Sequence, residues 1–303
     1  MGLIRKAKNA LKRTFPFPAA VRELYYRSNA GQSPIYLDYS VNVQPRYGWG
    51  KPPHQRLHYL IAKHKDSYLR IIERLRPYEA KLAAIPVDAP ADPSAPFWMN
   101  RFVMGLDAAA LYAFPALFNS RLYVEVGSGN STKFARRSII DNNLETRIVS
   151  VDPEPRAEID ALCHEVVRRP VETVDPEIFD RLQPGDILMI DNSHRCFQNS
   201  DVTITFLEIL PRLKPGVLIY IDDIYLPHDY PADWAQRYYS EQYLLAATLL
   251  ADKGERYEVV FPGFFVSGID TDLMQAAADF WQRCGFPQFA TTRANGFWMR
   301  VVS

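Results

Sequence analysis

From about residue 120 onward the chain alternates short apolar runs with stretches of helical spacing. The runs at Leu122–Val126, Arg147–Val151, Glu165–Val167, Ile187–Ile190 and 217–221 are rich in Val, Ile and Leu, and helix candidates lie between them at 133–141, 157–162, 176–182 and 201–213. Short runs of this composition separated by helices predict a parallel sheet covered on both faces. With right-handed crossovers this is a doubly wound α/β domain. Two more strand candidates, 257–261 and 296–302, enclose an insertion with a helix predicted at 272–283. Upstream, Leu57, Leu60, Ile61, Tyr68, Ile71, Ile72 and Leu75 fall near helical spacing over 54–75, where Arg76-Pro77 interrupts the pattern. Pro86, Pro90, Pro93 and Pro96 then mark a linker, and residues 100–118 return to helical spacing around 107–112. The expected division is 1–96, a basic arm and a mainly helical extension, and 97–303, the α/β domain.

The first apolar run ends in a glycine-rich turn, Gly127-Ser128-Gly129-Asn130-Ser131-Thr132. Gly127 and Gly129 permit positive φ and a close approach of a ligand to the backbone, and the following helix offers unpaired N–H groups at its N-terminus. A dinucleotide fingerprint needs a third glycine where Thr132 stands, and a phosphate-binding P-loop needs one at the same place before Lys133. What remains is acid-x-Gly-x-Gly, with Glu125 two residues before the first glycine. Asp152 closes the next run about 25 residues later, where a carboxylate can accept both hydroxyls of a ribose. With Pro153 beside it, Asp152 also reads as a turn residue.

The acid-x-Gly-x-Gly pattern resembles the first motif of class I S-adenosylmethionine-dependent methyltransferases, with Ser131 where that family has its third glycine. Residues 185–194 and 206–227 resemble strand four, the next helix and strand five of the same class, especially its cephalosporin-hydroxylase-like and sugar O-methyltransferase-like members. Leu213-Lys-Pro-Gly216 before the fifth strand is typical of that group. The resemblance spans about 123–243. It implies a Rossmann-like seven-stranded sheet whose antiparallel last strand lies beside the fifth, and S-adenosylmethionine as cofactor. It also implies cofactor contacts from Glu125, Gly127, Ser128, Gly129, Asn130, Ser131 and Asp152, and methyl transfer to an oxygen of a small molecule or sugar. Glu172, at the third strand's end, reads either as an adenine contact or as a solvated carboxylate.

Asp191 ends the fourth run, and Asp222 and Asp223 end the fifth. Neighbouring strands lie about 4.8 Å apart, so these carboxylates can meet on one hard cation. Metal-dependent catechol-type O-methyltransferases hold Mg²⁺ at similar positions with an Asp and an Asp-Asn pair; here the pair is Asp-Asp. The alternative is that Asp191 accepts hydrogen bonds while Asp222 is solvated. His194 stands near the place of those enzymes' catalytic lysine, and an imidazole can remove a hydroxyl proton near neutral pH; a helix cap or core histidine is the competing reading. Residues 224–234, with Tyr225, His228, Tyr230 and Trp234, are the expected acceptor wall, and Tyr238, Tyr239 and Tyr243 are expected to pack in a following helix.

Composition narrows the remaining choices. The 303 residues are 48% hydrophobic and 13% aromatic, ample for a core, yet no run approaches the roughly 20 uncharged apolar residues of a membrane span. Charges occupy the place of a signal peptide's apolar stretch, so a cytoplasmic protein is expected. Cys163, Cys196 and Cys284 are widely spaced and predict buried thiols rather than disulfides or a zinc site. Balanced formal charge argues against a nucleic-acid partner, although Arg5, Lys6, Lys8, Lys12, Arg13, Arg22 and Arg27 face the single acid Glu23 within residues 1–30. That arm reads as a solvated terminus or as a surface-seeking segment. Two other functions fit a nucleotide-type loop. An NAD-dependent oxidoreductase is opposed by Glu125 and by the missing third glycine, and a non-catalytic nucleotide-binding scaffold is opposed by a nearly whole loop.

Overall fold

The structure, a computed structural model, describes residues 40–303, so the basic arm lies outside the described residues. The chain divides into Met1–Val43 and Gln44–Ser303, and the second unit holds everything that follows.

Seven strands form one sheet: β1 (Leu122–Val126), β2 (Arg147–Val151), β3 (Glu165–Val167), β4 (Ile187–Ile190), β5 (Leu218–Ile221), β6 (Tyr257–Pro262) and β7 (Phe297–Val301), in the order β3-β2-β1-β4-β5-β7-β6. The first five are parallel, and β7 runs antiparallel to both β5 and β6. This is the Rossmann-like sheet expected from the sequence. Every residue of β1, β4 and β5 is buried, in keeping with the apolar character of these segments, in which Glu125 is the one charged residue. Register puts Val126 level with both Val151 and Ile190, and Ile190 level with Ile221. The residues that follow, Gly127, Asp152, Asp191 and Asp222, therefore emerge along one edge. Chain order reverses between β1 and β4, so that edge holds the crevice where open α/β sheets bind ligands.

The expected helix over 54–75 is two helices, α1 (Gln55–Ala62) and α2 (Lys65–Arg74), with α3 (Glu79–Ala83) after a turn at Arg76-Pro77. The Tyr68 hydroxyl donates to the Ile61 carbonyl at 2.8 Å and satisfies the end of α1. His54 caps the start of α1, its Nδ1 accepting from the Leu57 N–H at 3.3 Å. Leu57, Ile61, Tyr68, Ile72 and Leu75 join the same core cluster as the strands. After the proline-rich stretch, the Trp98 and Met99 N–H groups donate back to the Pro86 and Val87 carbonyls. Helix α4 (Gly105–Leu117) is buried from Gly105 through Pro115, consistent with its apolar character on all sides.

The glycine loop leads into α5 (Asn130–Asp141), and α6 (Glu177–Asp180) and α7 (Asp201–Ile204) follow. A π turn at Thr205–Ile209 and a 3-10 turn at Leu210–Arg212 continue α7. Residues 157–162 are not the expected helix. They hold one 3-10 turn, Asp160–Leu162, after bends at 153–154 and 156–157, and only Ile159 buries its side chain fully. Helices α8 (Glu241–Asp252), α9 (Gly263–Gly268) and α10 (Thr271–Arg283) complete the unit, with α2 packed on α10 and β6. The cysteines are free, and Cys284 is buried.

Candidate active site

Two cavities open along the carboxyl edge of the sheet. The first, about 350 Å³, is bordered by Gly127 and Ser128 after β1, Asp152 after β2, Glu172 beyond β3, and Asp191 and Asn192 after β4. Gly127 has φ +80, and a Cβ there would stand 1.8 Å from the Asp191 carbonyl. The first glycine is thus required by the approach of the chain leaving β4. Gly129 has extended backbone, with φ 168. Asp152 binds the loop through both oxygens, accepting from the Ser128 N–H at 2.6 Å and the Glu154 N–H at 2.8 Å. Each oxygen keeps a further lone pair for the cavity.

Glu125 does not border this cavity. It is fully buried and braces the loop from below, accepting from the Thr132 hydroxyl and from the Tyr123 hydroxyl at 3.3 Å. Burial raises its carboxyl pKa to about 7, against hydrogen bonds from Ser131, Thr132 and Ser128 that lower it. Ser131 is buried beside it, and Asn130 opens α5; neither borders the cavity. The loop side chains thus act mostly on one another, leaving backbone groups, Ser128, Asp152 and Glu172 to meet a ligand.

The second cavity, about 550 Å³, adjoins the first through Asp191 and Arg156, which border both. At its floor lies His194, 2% exposed and at φ +58, with its N–H bonded to Asn192 Oδ1 at 2.8 Å. Its Nδ1 is 2.9 Å from Glu241 Oε2, while Nε2 lies 3.3 Å from Asp191 Oδ1 and 3.4 Å from Asp223 Oδ2. Both ring nitrogens face carboxylates, an arrangement that favours the doubly protonated ring. Burial lowers its pKa, but hydrogen bonds to Asp191 and Glu241 and the charges of Glu241 and Asp223 outweigh that and raise it well above the ordinary value. Asn192 also donates to Glu241 Oε1 at 2.9 Å, fixing the carboxylate that holds the ring.

Asp223, at φ +56, accepts from Asn295 Nδ2 at 2.8 Å. Asp222 accepts from the buried Tyr220 hydroxyl at 2.6 Å, and burial, with the charges of Asp191, Asp223 and Asp107, holds its pKa well above the ordinary value. Asp107 on α4 accepts from the Asn295 and Gly296 N–H groups at 2.7 and 3.0 Å, and burial raises its pKa to about 7.

The expected Mg²⁺ does not fit this arrangement. His194 Nε2 takes the place between Asp191 and Asp223 that a shared cation would occupy, and Asp222 is engaged with Tyr220. Among the described residues no three His, Cys, Asp or Glu side chains are grouped to hold a metal ion. Glu241, 47 residues away in the chain, supplies His194 Nδ1 with a carboxylate partner that the reading of His194 as a free base did not include.

Of the expected acceptor wall, Tyr225 and Trp234 border the second cavity. Tyr230 turns into an aromatic cluster with Tyr225 and Phe264, and His228 lies edge-on to Trp49 and Phe264. Tyr239 corrects the sequence reading. It precedes α8 instead of packing within it, borders the cavity, and lies 4.7 Å from the His194 ring. Glu241, Asp107, Asn295 and the arginines of this cavity gave no signal in the sequence, since nothing in their local pattern ties them to the strand ends.

Sheet order, the antiparallel β7 beside β5, the glycine loop and the acidic residue after β2 are those of the class I S-adenosylmethionine-dependent methyltransferase fold. Residues 124–224 match a family model described as a methyltransferase domain. Similar solved structures include an O-methyltransferase from Bacillus cereus in complex with SAH, at 15% identity over 82% of this chain and 96% of that one, with a TM-score of 0.34. Another is the plantazolicin methyltransferase BpumL in complex with SAH, at 13% identity over 77% of this chain and 100% of that one, with a TM-score of 0.42. Both superpose loosely, and the assignment stands on the matched stretch and on this chain's own sheet. No curated protein matches the chain. Among the described residues no helix is long and apolar enough to cross a membrane.

Proposed function

We propose that this protein methylates a hydroxyl oxygen of a small molecule, sugars included, and does so without a metal ion. The observation that carries this reading is the position of Asp191, which borders both cavities and contacts His194. S-adenosylmethionine, bound in the first cavity, supplies an already activated methyl group. Asp152 and Glu172 suit its ribose and adenine, the backbone of Gly127 and Ser128 its amino-acid portion, and Glu125, Gly129, Asn130 and Ser131 hold that loop in shape.

The remaining task is alignment and removal of one proton. An acceptor hydroxyl in the second cavity donates to the Asp191 carboxylate, which takes the proton as the oxygen attacks. His194 acts as a fixed positive charge that keeps Asp191 and Asp223 together in a space two bare carboxylates would resist sharing. Glu241, through Nδ1, is a positioning residue for that ring.

The test is methyl transfer from labelled S-adenosylmethionine to a panel of hydroxylated small molecules, with and without chelator. Oxygen methylation at an unchanged rate in chelator is the expected result. Activity that vanishes with chelator and returns with Mg²⁺ sinks the metal-free reading. Transfer only to nitrogen or carbon sinks the choice of oxygen.

A further inference from the structure

The second cavity carries a charge pattern that the chemistry at its floor does not use. Arg101 ahead of α4, Arg156 after β2, Arg237 after β5 and Arg293 ahead of β7 reach it from four separate segments. All four are exposed, whereas Asp107 and Asp222 are buried, so guanidinium groups ring the mouth and carboxylates line the floor. Arg156 approaches Asp191 at 3.7 Å. Among the described residues Arg101, Arg237 and Arg293 meet no carboxylate and donate no side-chain hydrogen bond. Arg121, Arg181, Arg212 and Arg300, by contrast, each pair with one. Aromatic faces hold the free heads instead: Arg237 lies 3.6 Å from the Trp234 ring centre, and Arg293 5.7 Å from that of Trp49. A guanidinium positioned over a ring keeps its in-plane N–H donors available, and that fork matches an oxyanion.

We infer that the acceptor is itself an anion, a hydroxyl-bearing small molecule whose carboxylate or phosphate is gripped by Arg237 and Arg293 while its hydroxyl reaches Asp191. This rests on the reading of the second cavity as the acceptor site. Arg156 borders both cavities and so faces the cofactor's own carboxylate as well; Arg237 and Arg293 border only the second. Trp234 and Tyr239 border the same cavity and offer aromatic surface to the body of such a ligand.

The test is calorimetric titration of protein saturated with S-adenosylhomocysteine, using pyrophosphate, salicylate and the uncharged salicylamide. At least one anion should bind at millimolar concentration or below, with salicylamide at least about tenfold weaker than salicylate wherever salicylate binds. Arg237→Met combined with Arg293→Met should weaken the anion by about tenfold or more and leave the affinity for S-adenosylhomocysteine unchanged. Binding of pyrophosphate alone points to a phosphorylated acceptor, and binding of salicylate alone to a carboxylic acid. The inference is overturned if neither anion binds, if the amide binds as well as the acid, or if the double variant binds the anion like the parent. A double variant that loses S-adenosylhomocysteine also overturns it, since the arginines would then serve the cofactor. Failure of the parent protein to bind S-adenosylhomocysteine would instead count against the function, and titrating the unliganded protein with the same anions would still judge the arginines.

Discussion

The two cavities along the sheet edge are built by opposite means. The cofactor cavity uses strand ends and the residues directly after them, Gly127, Ser128 and Asp152, aligned by the parallel register, and shares Asp191 with the acceptor cavity, where its carboxylate works. The acceptor cavity gathers Asp107 from α4, Glu241 behind His194 at the start of α8, and Arg293 and Asn295 ahead of β7. One half is positioned by backbone and needs few particular side chains. The other is positioned by convergence, so each side chain depends on partners far away in the chain. Losses in the first half should therefore appear as cofactor binding, and losses in the second as turnover or acceptor binding at unchanged cofactor affinity.

The largest effect expected is in the second half. Asp191→Asn keeps the shape and removes the proton acceptor, so kcat should fall by roughly 10² to 10⁴ while the affinity for S-adenosylmethionine changes much less. An equal loss in both would erase the contrast. Gly127→Ala should come next, because its Cβ would strike the Asp191 carbonyl and its φ is +80. A destabilisation of about 3 kcal/mol is expected, read as a lowered Tm and lost cofactor binding. Asp152→Ala should remove most of the Tm increase that S-adenosylmethionine produces, with NAD producing none in the parent.

Glu241→Gln should lower kcat about tenfold at unchanged cofactor affinity and shift the pH profile, as expected for a residue acting through His194; a change in stability alone would leave the profile in place. An effect on stability alone concerns Glu125. Burial raises its pKa from 4.5 to about 7, so between those values the folded state keeps a proton that the unfolded chain has lost. Stability from this group should accordingly fall as pH rises through that window, by roughly 3 kcal/mol in all, and Glu125→Gln should flatten that part of the profile in urea melts.

Legibility in the sequence follows the same division. Strands β1 to β4 lie where their Val-, Ile- and Leu-rich runs predict, and the buried β1 and β4 carry the strongest such signature because both their faces are covered. Strand-end residues follow from the strands, which is why Asp152, Asp191, Asp222 and Asp223 were all found at the right edge. What those carboxylates bind was not legible. A metal and a free imidazole base were both reasonable while Glu241 was unseen, and no local pattern marks Glu241, Asn295 or Asp107 as neighbours of His194. Glu125 was read from its motif as a cofactor contact, but its burial and its bond to Thr132 show it bracing the loop.

The account turns most on the protonated ring of His194, and nitrogen NMR of the imidazole reads it directly without knowledge of the acceptor. Because the folded-state pKa is raised well above the ordinary value, both ring nitrogens should be protonated at neutral pH and lose that state only at distinctly higher pH. Added Mg²⁺ should leave the signals unmoved. A neutral tautomer at neutral pH, or a ring displaced by Mg²⁺, would contradict the account and return the three carboxylates to the cation expected from the sequence.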